Sequence, residues 1–327
     1  MSGVADLSQA TCWVVSEGIA GLQGQGVGLA QALGIRQWTQ FRMAKPGLPW
    51  KLLPSAWWPA RLPVTEEGAA LLPPWPDLLI TCGRVSVATA LHVRRASGGR
   101  TFTVHIQDPF MDTSHFDVVL APAHDRVRGD NVLSTRGALH RIDATVLAAA
   151  AARTAPRFAH LPSPRVAVLV GGSNKRQRFT TDVMRDFAGR LAAAAQASGA
   201  TLLVTTSRRT GAENERILRE ALAGVPAWIW DGQGDNPYPG LLALADAIVV
   251  TCDSVSMTSE ACSSGRPVHV YEFPGGSARF RHFHADLMQA GITRAFGNRF
   301  ERWHCEPLDE TRRAAEFVRA RYAARNA

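Results

Sequence analysis

Short apolar runs that stop abruptly at small polar residues alternate along the whole chain with stretches of helical apolar spacing. That alternation predicts an α/β architecture built on parallel sheets. In the first half, strands are expected over residues 12–16, 77–81, 101–106, 117–120 and 131–134, with helices leading to Leu33 and over 85–95. In the second half, strands are expected over 165–170, 201–205, 227–230 and 247–250, and helices over about 142–153, 180–197 and 308–325. A further short helix follows the 247–250 strand, is closed by Gly265 ahead of Pro267, and leads into a strand ending at Tyr271. Residues 37–75 show no clear period. Thr154-Ala155-Pro156 and Leu161-Pro162-Ser163-Pro164 read as a proline-marked link. The expected organisation is therefore an N-terminal Rossmann-like domain over 1–158, a second over 159–306, and a closing helix over 307–327 that braces the two.

Composition narrows the class. The 327 residues, 46% of them hydrophobic, suffice to bury two cores. No apolar stretch reaches the ~18 residues of a membrane span, and residues 1–9 lack a basic region followed by an apolar core. A cytoplasmic location is expected. Cys12, Cys82, Cys252, Cys262 and Cys305 are dispersed without a C-x-x-C pair, which argues against disulfides and zinc and for small core residues. The net charge of +8 and pI near 9.8 suit anionic partners such as a nucleotide diphosphate or an anionic membrane surface. No zinc-finger, RNA-recognition or basic-zipper pattern is present, so nucleic acid is not an expected partner. Residues 37–75 hold Trp38, Trp50, Trp57, Trp58 and Trp75 among prolines, Lys45, Lys51 and Arg61. Such a mixture suits a membrane interface or a lipid-tailed acceptor. Alternatively, the tryptophans pack into the domain core.

Candidate chemistry collects at strand ends. The first strand runs into Glu17 and a glycine-rich stretch to Gly26, in which Gly21, Gln23 and Gly24 form an expected ligand-approach turn. It matches neither the dinucleotide fingerprint nor a P-loop. Gln107-Asp108-Pro109 and Ala123-His124-Asp125 end later strands of the same sheet, on the rim where α/β sheets bind ligands. His124 beside Asp125 is the strongest acid–base candidate, or the two hold their loop through backbone hydrogen bonds, while Asp108 serves either catalysis or its turn. His105, His115 and His124 lack ligand spacing, so no metal site is expected.

In the second half, Gly171-Gly172-Ser173-Asn174-Lys175-Arg176-Gln177-Arg178 follows a strand and precedes a helix. The glycine N–H groups, Lys175 and Arg178 are expected to hold a diphosphate. Ser207 and Arg208 end the next strand within reach of the same phosphate. Asn236 and Tyr238 line a base pocket or cap the helix behind them. The strand 247–250 breaks into Thr251, Cys252, Asp253 and Ser254, with Ser256 and Met257 in the first turn of the helix and Glu260 placed for ribose hydroxyls. Asp253 and Ser254 are equally the residue types that cap a helix whatever its function.

The segments SEGIAGLQGQGVGLAQALG, HIQDPFMDTSHFDVVLAPAHD, NVLSTRGALHRI, VLVGGSNK and DNPYPGLLALADAIVVTCDSVSMTSEACSSGRPVHVYE together resemble the mitochondrial fission ELM family, with the chain as a bacterial member. The resemblance spans roughly residues 12–292. It implies a GT-B-like fold, two Rossmann-like domains facing a cleft, and a nucleoside diphosphate-sugar as substrate with no cofactor required. Family members have been labelled predicted nucleoside-diphosphate-sugar epimerases, and the plant namesake is associated with mitochondrial division. The opening turn holds a single acidic residue, Glu17, where an epimerase would need an acidic cluster, and it lacks a Gly-Gly-His turn. The reading preferred from sequence is a metal-independent glycosyltransferase, in which His124 or Asp125 deprotonates an acceptor and the second domain holds the donor. The alternatives are an epimerase and a non-catalytic peripheral membrane adaptor.

Overall fold

The structure, a computed structural model, describes residues 6–59 and 64–326. The chain divides into two units, Met1–Arg141 with Glu310–Ala327, and Ile142–Asp309.

The first unit contains β1 (Cys12–Ser16), α1 (Ala20–Ala32), β2 (Trp38–Arg42), β3 (Leu78–Cys82), α2 (Val85–Ala96), β4 (Phe102–Ile106), β5 (Val118–Pro122) and β6 (Val132–Thr135). The strands are all parallel, in the order β2-β1-β3-β4-β5-β6. The order reverses at β1, so the switch point, where open sheets bind ligands, lies between β1 and β3. β3 and β4 are buried at every position, as strands covered on both faces must be. Two glycines let α1 lie close to its neighbours. A Cβ on Gly26 would sit 2.7 Å from Val14 Cγ1, and one on Gly28 2.3 Å from the His140 carbonyl oxygen.

The terminal helix Glu310–Asn326 belongs to this first unit and completes its core with Ala314, Ala315 and Val318. Thr311 Oγ1 accepts from His140 N at 3.0 Å and donates to His140 O at 3.1 Å. The segment without clear period holds edge strand β2 and two single turns of 3-10 helix, Trp50–Leu52 and Ser55–Trp57. Its tryptophans divide between the two expectations. Trp75 packs edge-to-face on Trp13 in the core, whereas Trp57 is 68% exposed, as are Leu48, Leu52 and Leu72 at 70% or more. Arg61 and the Lys51 side chain lie outside the described residues.

The second unit contains α3 (Ala144–Phe158), β7 (Arg165–Val170), α4 (Thr181–Ser198), β8 (Thr201–Thr206), α5 (Ala212–Ala221), β9 (Ala227–Ile229), α6 (Tyr238–Leu244), β10 (Ala247–Thr251), α7 (Val255–Cys262), β11 (Val268–Tyr271), α8 (Ala278–Gln289) and β12 (Thr293–Ala295). Its parallel sheet has the order β12-β11-β10-β7-β8-β9, which puts its switch point between β7 and β10.

The division between units falls ahead of the proline-marked link. Asp143 caps α3 by accepting from Val146 N at 2.7 Å, and the helix runs on through Pro156. Phe158 is fully buried against Trp228, with ring centroids 4.9 Å apart. Gly240 of α6 lies so close that a Cβ there would be 2.2 Å from Thr154 Oγ1. These contacts assign α3 to the second core, so the prolines mark a helix end and turn inside one unit. Among the described residues, no helix is long and apolar enough to cross a membrane.

Candidate functional site

At the switch point of the second unit, the turn leaving β7 is built on the end of β10. Thr251 Oγ1 accepts from Gly171 N at 2.8 Å and donates to Asp253 Oδ1 at 2.7 Å. Asp253 Oδ2 accepts from Gly172 N and from Arg209 Nη2, both at 2.9 Å. The Asp253 side chain is 0% exposed, so this carboxylate holds the turn from beneath and faces no ligand. The N–H groups of Gly171 and Gly172, expected to donate to a diphosphate, are taken by these internal acceptors. Glycine is needed for closeness instead. A Cβ on Gly171 would meet the Asp253 carboxylate oxygens at 2.2 Å, and one on Gly172 the Arg209 carbonyl oxygen at 2.1 Å.

The rest of the loop is pinned from within. Ser173 Oγ accepts from Phe179 N at 3.0 Å, and Asn174 Oδ1 accepts from Arg176 N and Gln177 N at 2.9 and 3.0 Å. Buried Gln177 donates through Nε2 to Phe273 O at 3.0 Å and to Cys252 Sγ at 3.2 Å. What the loop leaves exposed is Ser173 and its cations, Lys175, Arg176 and Arg178.

Ser254 caps α7 by accepting from Met257 N at 3.3 Å. The first turn of α7 has no acidic residue, so the positive end of the helix is not neutralised by its own side chains. Ser256 is half-buried in that turn, and Met257 packs onto the core. Farther along, Tyr238 Oη donates to Glu260 Oε2 at 2.7 Å. Burial pushes the Glu260 carboxyl above its usual range, and the Tyr238 hydrogen bond pulls it partly back. The Tyr238 phenol is raised well above its usual value, by burial first and by the Glu260 charge second. Asn236 forms a local turn, its Oδ1 accepting from Tyr238 N at 3.0 Å.

Ser207 uses its hydroxyl to accept from Arg209 N at 3.2 Å, and Arg208 is exposed. It is Arg209 that reaches the glycine turn, donating through Nη1 to Gly172 O at 3.0 Å as well as to Asp253. Sequence reasoning misses Arg209, Gln177 and the Tyr238–Glu260 pair. The adjacent arginines 208 and 209 are a signal, but which one turns inward depends on the turn closed by Thr210 N and Ser207 O.

At the switch point of the first unit, Glu17 leaves β1 with Lys45 Nζ 3.3 Å from its Oε2. Gly83, at φ +87°, leaves β3 close by, where a Cβ would be 3.4 Å from Glu17 Oε1. The turn between β1 and α1 is shorter than its glycines suggest. The helix starts at Ala20, which puts Gly21, Gln23 and Gly24 in its first turns. Ile19, the N-cap, offers no side-chain cap. Asp108 takes the turn-forming alternative, its Oδ1 accepting from Phe110 N at 2.7 Å between residues of positive φ, Gln107 and Phe110. At the end of β5, His124 and Asp125 meet, Nε2 to Oδ1 at 3.7 Å, with side chains 12% and 5% exposed. That separation is an ion-pair distance for a protonated histidine and longer than a hydrogen bond. His105 is buried in β4 with Nδ1 2.9 Å from Thr81 Oγ1, and burial pushes its pKa down to about 3. Among the described residues, no group of three or more His, Cys, Asp or Glu side chains could hold a metal ion.

Two α/β units, each with a six-stranded parallel sheet, place the chain in the GT-B class, and solved structures share that fold at low identity. The UDP-GlcNAc 2-epimerase of Methanocaldococcus jannaschii aligns at TM-score 0.56 and 11% identity over 93% of this chain and 98% of its own. The same enzyme in complex with UDP-GlcNAc and UDP aligns at TM-score 0.51 and 12% identity over 95% of this chain and 99% of its own. MurG of Acinetobacter baumannii aligns at 0.50 and 13%, over 97% and 94%. The chain belongs to the Mitochondrial fission ELM1 family, whose profile matches residues 20–322. It is 34% identical over 277 residues to the mitochondrial fission protein ELM1 of Arabidopsis thaliana, a match covering 76% of this chain and 65% of that relative. It thus spans less than two thirds of the plant protein. It is 27% identical over 284 residues to the uncharacterized protein RP120 of Rickettsia prowazekii (strain Madrid E), covering 75% of this chain and 79% of that one.

Proposed function

We propose that the chain binds a nucleoside diphosphate-sugar on its second unit and is a metal-independent glycosyltransferase. The observation that carries this reading is the start of α7. It is a Ser254-capped helix end at a switch point, with no acidic residue in its first turn, joined to a loop that exposes Lys175 and Arg178. Such an end attracts phosphate. Lys175, Arg178 and Arg208 supply the cations, and Ser254 and Ser256 supply polar contacts. Gly171 and Gly172 permit close approach, while Asp253, Ser173 and Ser207 shape the turns and Met257 fills the core beneath. Glu260 has one oxygen on Tyr238 and the other for a ribose hydroxyl. The UDP-GlcNAc and UDP of the solved relative support this substrate class.

In the transfer step the acceptor oxygen bonds to the sugar's anomeric carbon and the bond to the diphosphate breaks. His124, with the Asp125 carboxylate 3.7 Å away, takes the acceptor proton, with Glu17 and the first turns of α1 as acceptor contacts. No cofactor enters the scheme. The exposed Leu48, Leu52, Trp57 and Leu72 favour a lipid-tailed acceptor or an anionic membrane surface as the second partner.

The test is thermal melting with uridine, guanosine, cytidine and thymidine diphosphates and their sugar conjugates, beside Glu260→Gln. One base is expected to stabilise the protein by about 2.7 kcal/mol at a hundredfold excess over its dissociation constant, and less in the variant. No response to any nucleotide at millimolar concentration overturns the donor site and leaves the membrane adaptor. With a responding donor, release of free nucleotide only when acceptor is present marks transfer, whereas interconversion of the sugar marks the epimerase.

A further inference from the structure

Away from the switch points, a cavity of about 550 Å³ lies at the opposite edge of the first sheet, where β1, β2 and β3 begin. Trp13, Trp38 and Trp75 line it, together with Arg36 and Gln37. Its volume lies within the range of small-molecule sites, roughly 300–1,000 Å³. Arg36 is the one charged residue among those that line it, with Asp6 near enough to feel its charge.

The walls are fixed before any ligand arrives. Trp13 sits edge-to-face against Phe41 at 5.0 Å and Trp75 at 5.8 Å, and Trp75 against His92 at 5.9 Å. Trp38 packs against the core on the other face of the sheet, so the cavity wraps the strand starts. Behind it, Thr11 donates through N and Oγ1 to Asp77 Oδ2 at 2.8 and 2.7 Å, clamping the start of β1 to that of β3. Arg36 makes no hydrogen bond or ion pair with a described residue and has only a through-space attraction to Asp6. The indole N–H groups of Trp13, Trp38 and Trp75 likewise have no partner among the described residues. A half-open cavity therefore combines three indole side chains with one available guanidinium.

We propose that this cavity binds a small aromatic monoanion, its ring against the indoles and its carboxylate or equivalent acid on Arg36. A guanidinium suits a planar acid, and offset or edge-to-face ring contacts with the indoles add to area burial. The site lies at the strand starts, whereas the donor and acid–base groups lie at strand ends. Its ligand is accordingly an effector and takes no part in the reaction, and the proposal stands or falls independently of the nucleotide reading.

The probe is naphthalene-2-carboxylate, followed by ligand-observed NMR and tryptophan fluorescence on the full chain, with the uncharged naphthalene-2-carboxamide as comparison. The carboxylate is expected to bind saturably and at least about tenfold more tightly than the amide. Arg36→Gln should erase that difference, Trp38→Ala should weaken both probes, and Trp57→Ala, which alters an exposed indole elsewhere, should change neither. Circular dichroism of each variant shows whether it is folded. No saturable binding to the unaltered protein, equal binding of acid and amide, or full binding by folded Arg36→Gln would each overturn the proposal.

Discussion

At the proposed donor site, Tyr238 and Glu260 are hydrogen-bonded to each other in a buried setting that shifts both groups. Burial raises the Glu260 carboxyl from its ordinary 4.5, and the Tyr238 bond opposes that rise. A carboxyl with a raised folded pKa holds its proton more tightly in the native state. Its contribution to stability is therefore fully present below 4.5 and is lost as pH rises through the folded value. Tyr238→Phe removes the only group that lowers this pKa, so the folded value should rise further and the loss should extend to higher pH. A carbon-13 NMR titration of the Glu260 side chain measures it directly, and an unchanged or lower value in the variant contradicts the assignment. The same substitution frees Glu260 to rotate, and nucleotide affinity should weaken along with the pKa shift if this carboxylate holds the ribose.

Among the elements, α1 shows how one residue type takes opposite roles within a single helix. Gly24 has open space around it, whereas a Cβ at Gly28 would drive into the His140 backbone. Gly24→Ala should stabilise the protein by about 0.5–1 kcal/mol through helix propensity. Gly28→Ala should destabilise it by about 1–3 kcal/mol through overpacking, although the propensity gain is the same. Urea denaturation of the two variants reads both signs. The glycines are also why sequence patterning extends the turn to Gly26: propensity speaks against a helix that tertiary packing makes. Strands such as β1 and β7 are legible because they are continuous apolar runs with clear stops. β2 is not, since an edge strand with three exposed residues in its five carries no period, and nothing in the patterning singles out α8 or β12. At the proposed donor site the residue types single out the loops that meet at the switch point of the second sheet. Their hydrogen bonding does not follow, because the acceptor that takes the Gly172 N–H lies 81 residues further along the chain.

For the molecule as a whole, the fold depends on a helix far from the rest of its unit in sequence. Glu310–Asn326 supplies Ala314, Ala315 and Val318 to the core that includes Val27 and Leu29 of α1. A chain ending at Asp309 should therefore lose hydrogen-exchange protection in α1 and in β1 to β6 while the unit Ile142–Asp309 keeps its own. Equal loss in both units, or in neither, would contradict the division described here. The altered boundary has the same origin, since α3 is recruited by a core whose strands all come later in the chain.

That arrangement also sets an order of events on the ribosome. Domains usually complete themselves from the N-terminus as the chain emerges, at about 5–20 residues per second. Here the first sheet emerges early but waits for the whole of Ile142–Asp309 before its last helix exists. During that interval, on the order of ten seconds or more at such rates, the apolar surface later covered by Ala314, Ala315 and Val318 is open to chaperones and to other nascent chains. The second unit, contiguous in sequence, needs no such wait and is the natural seed from which the protein finishes folding.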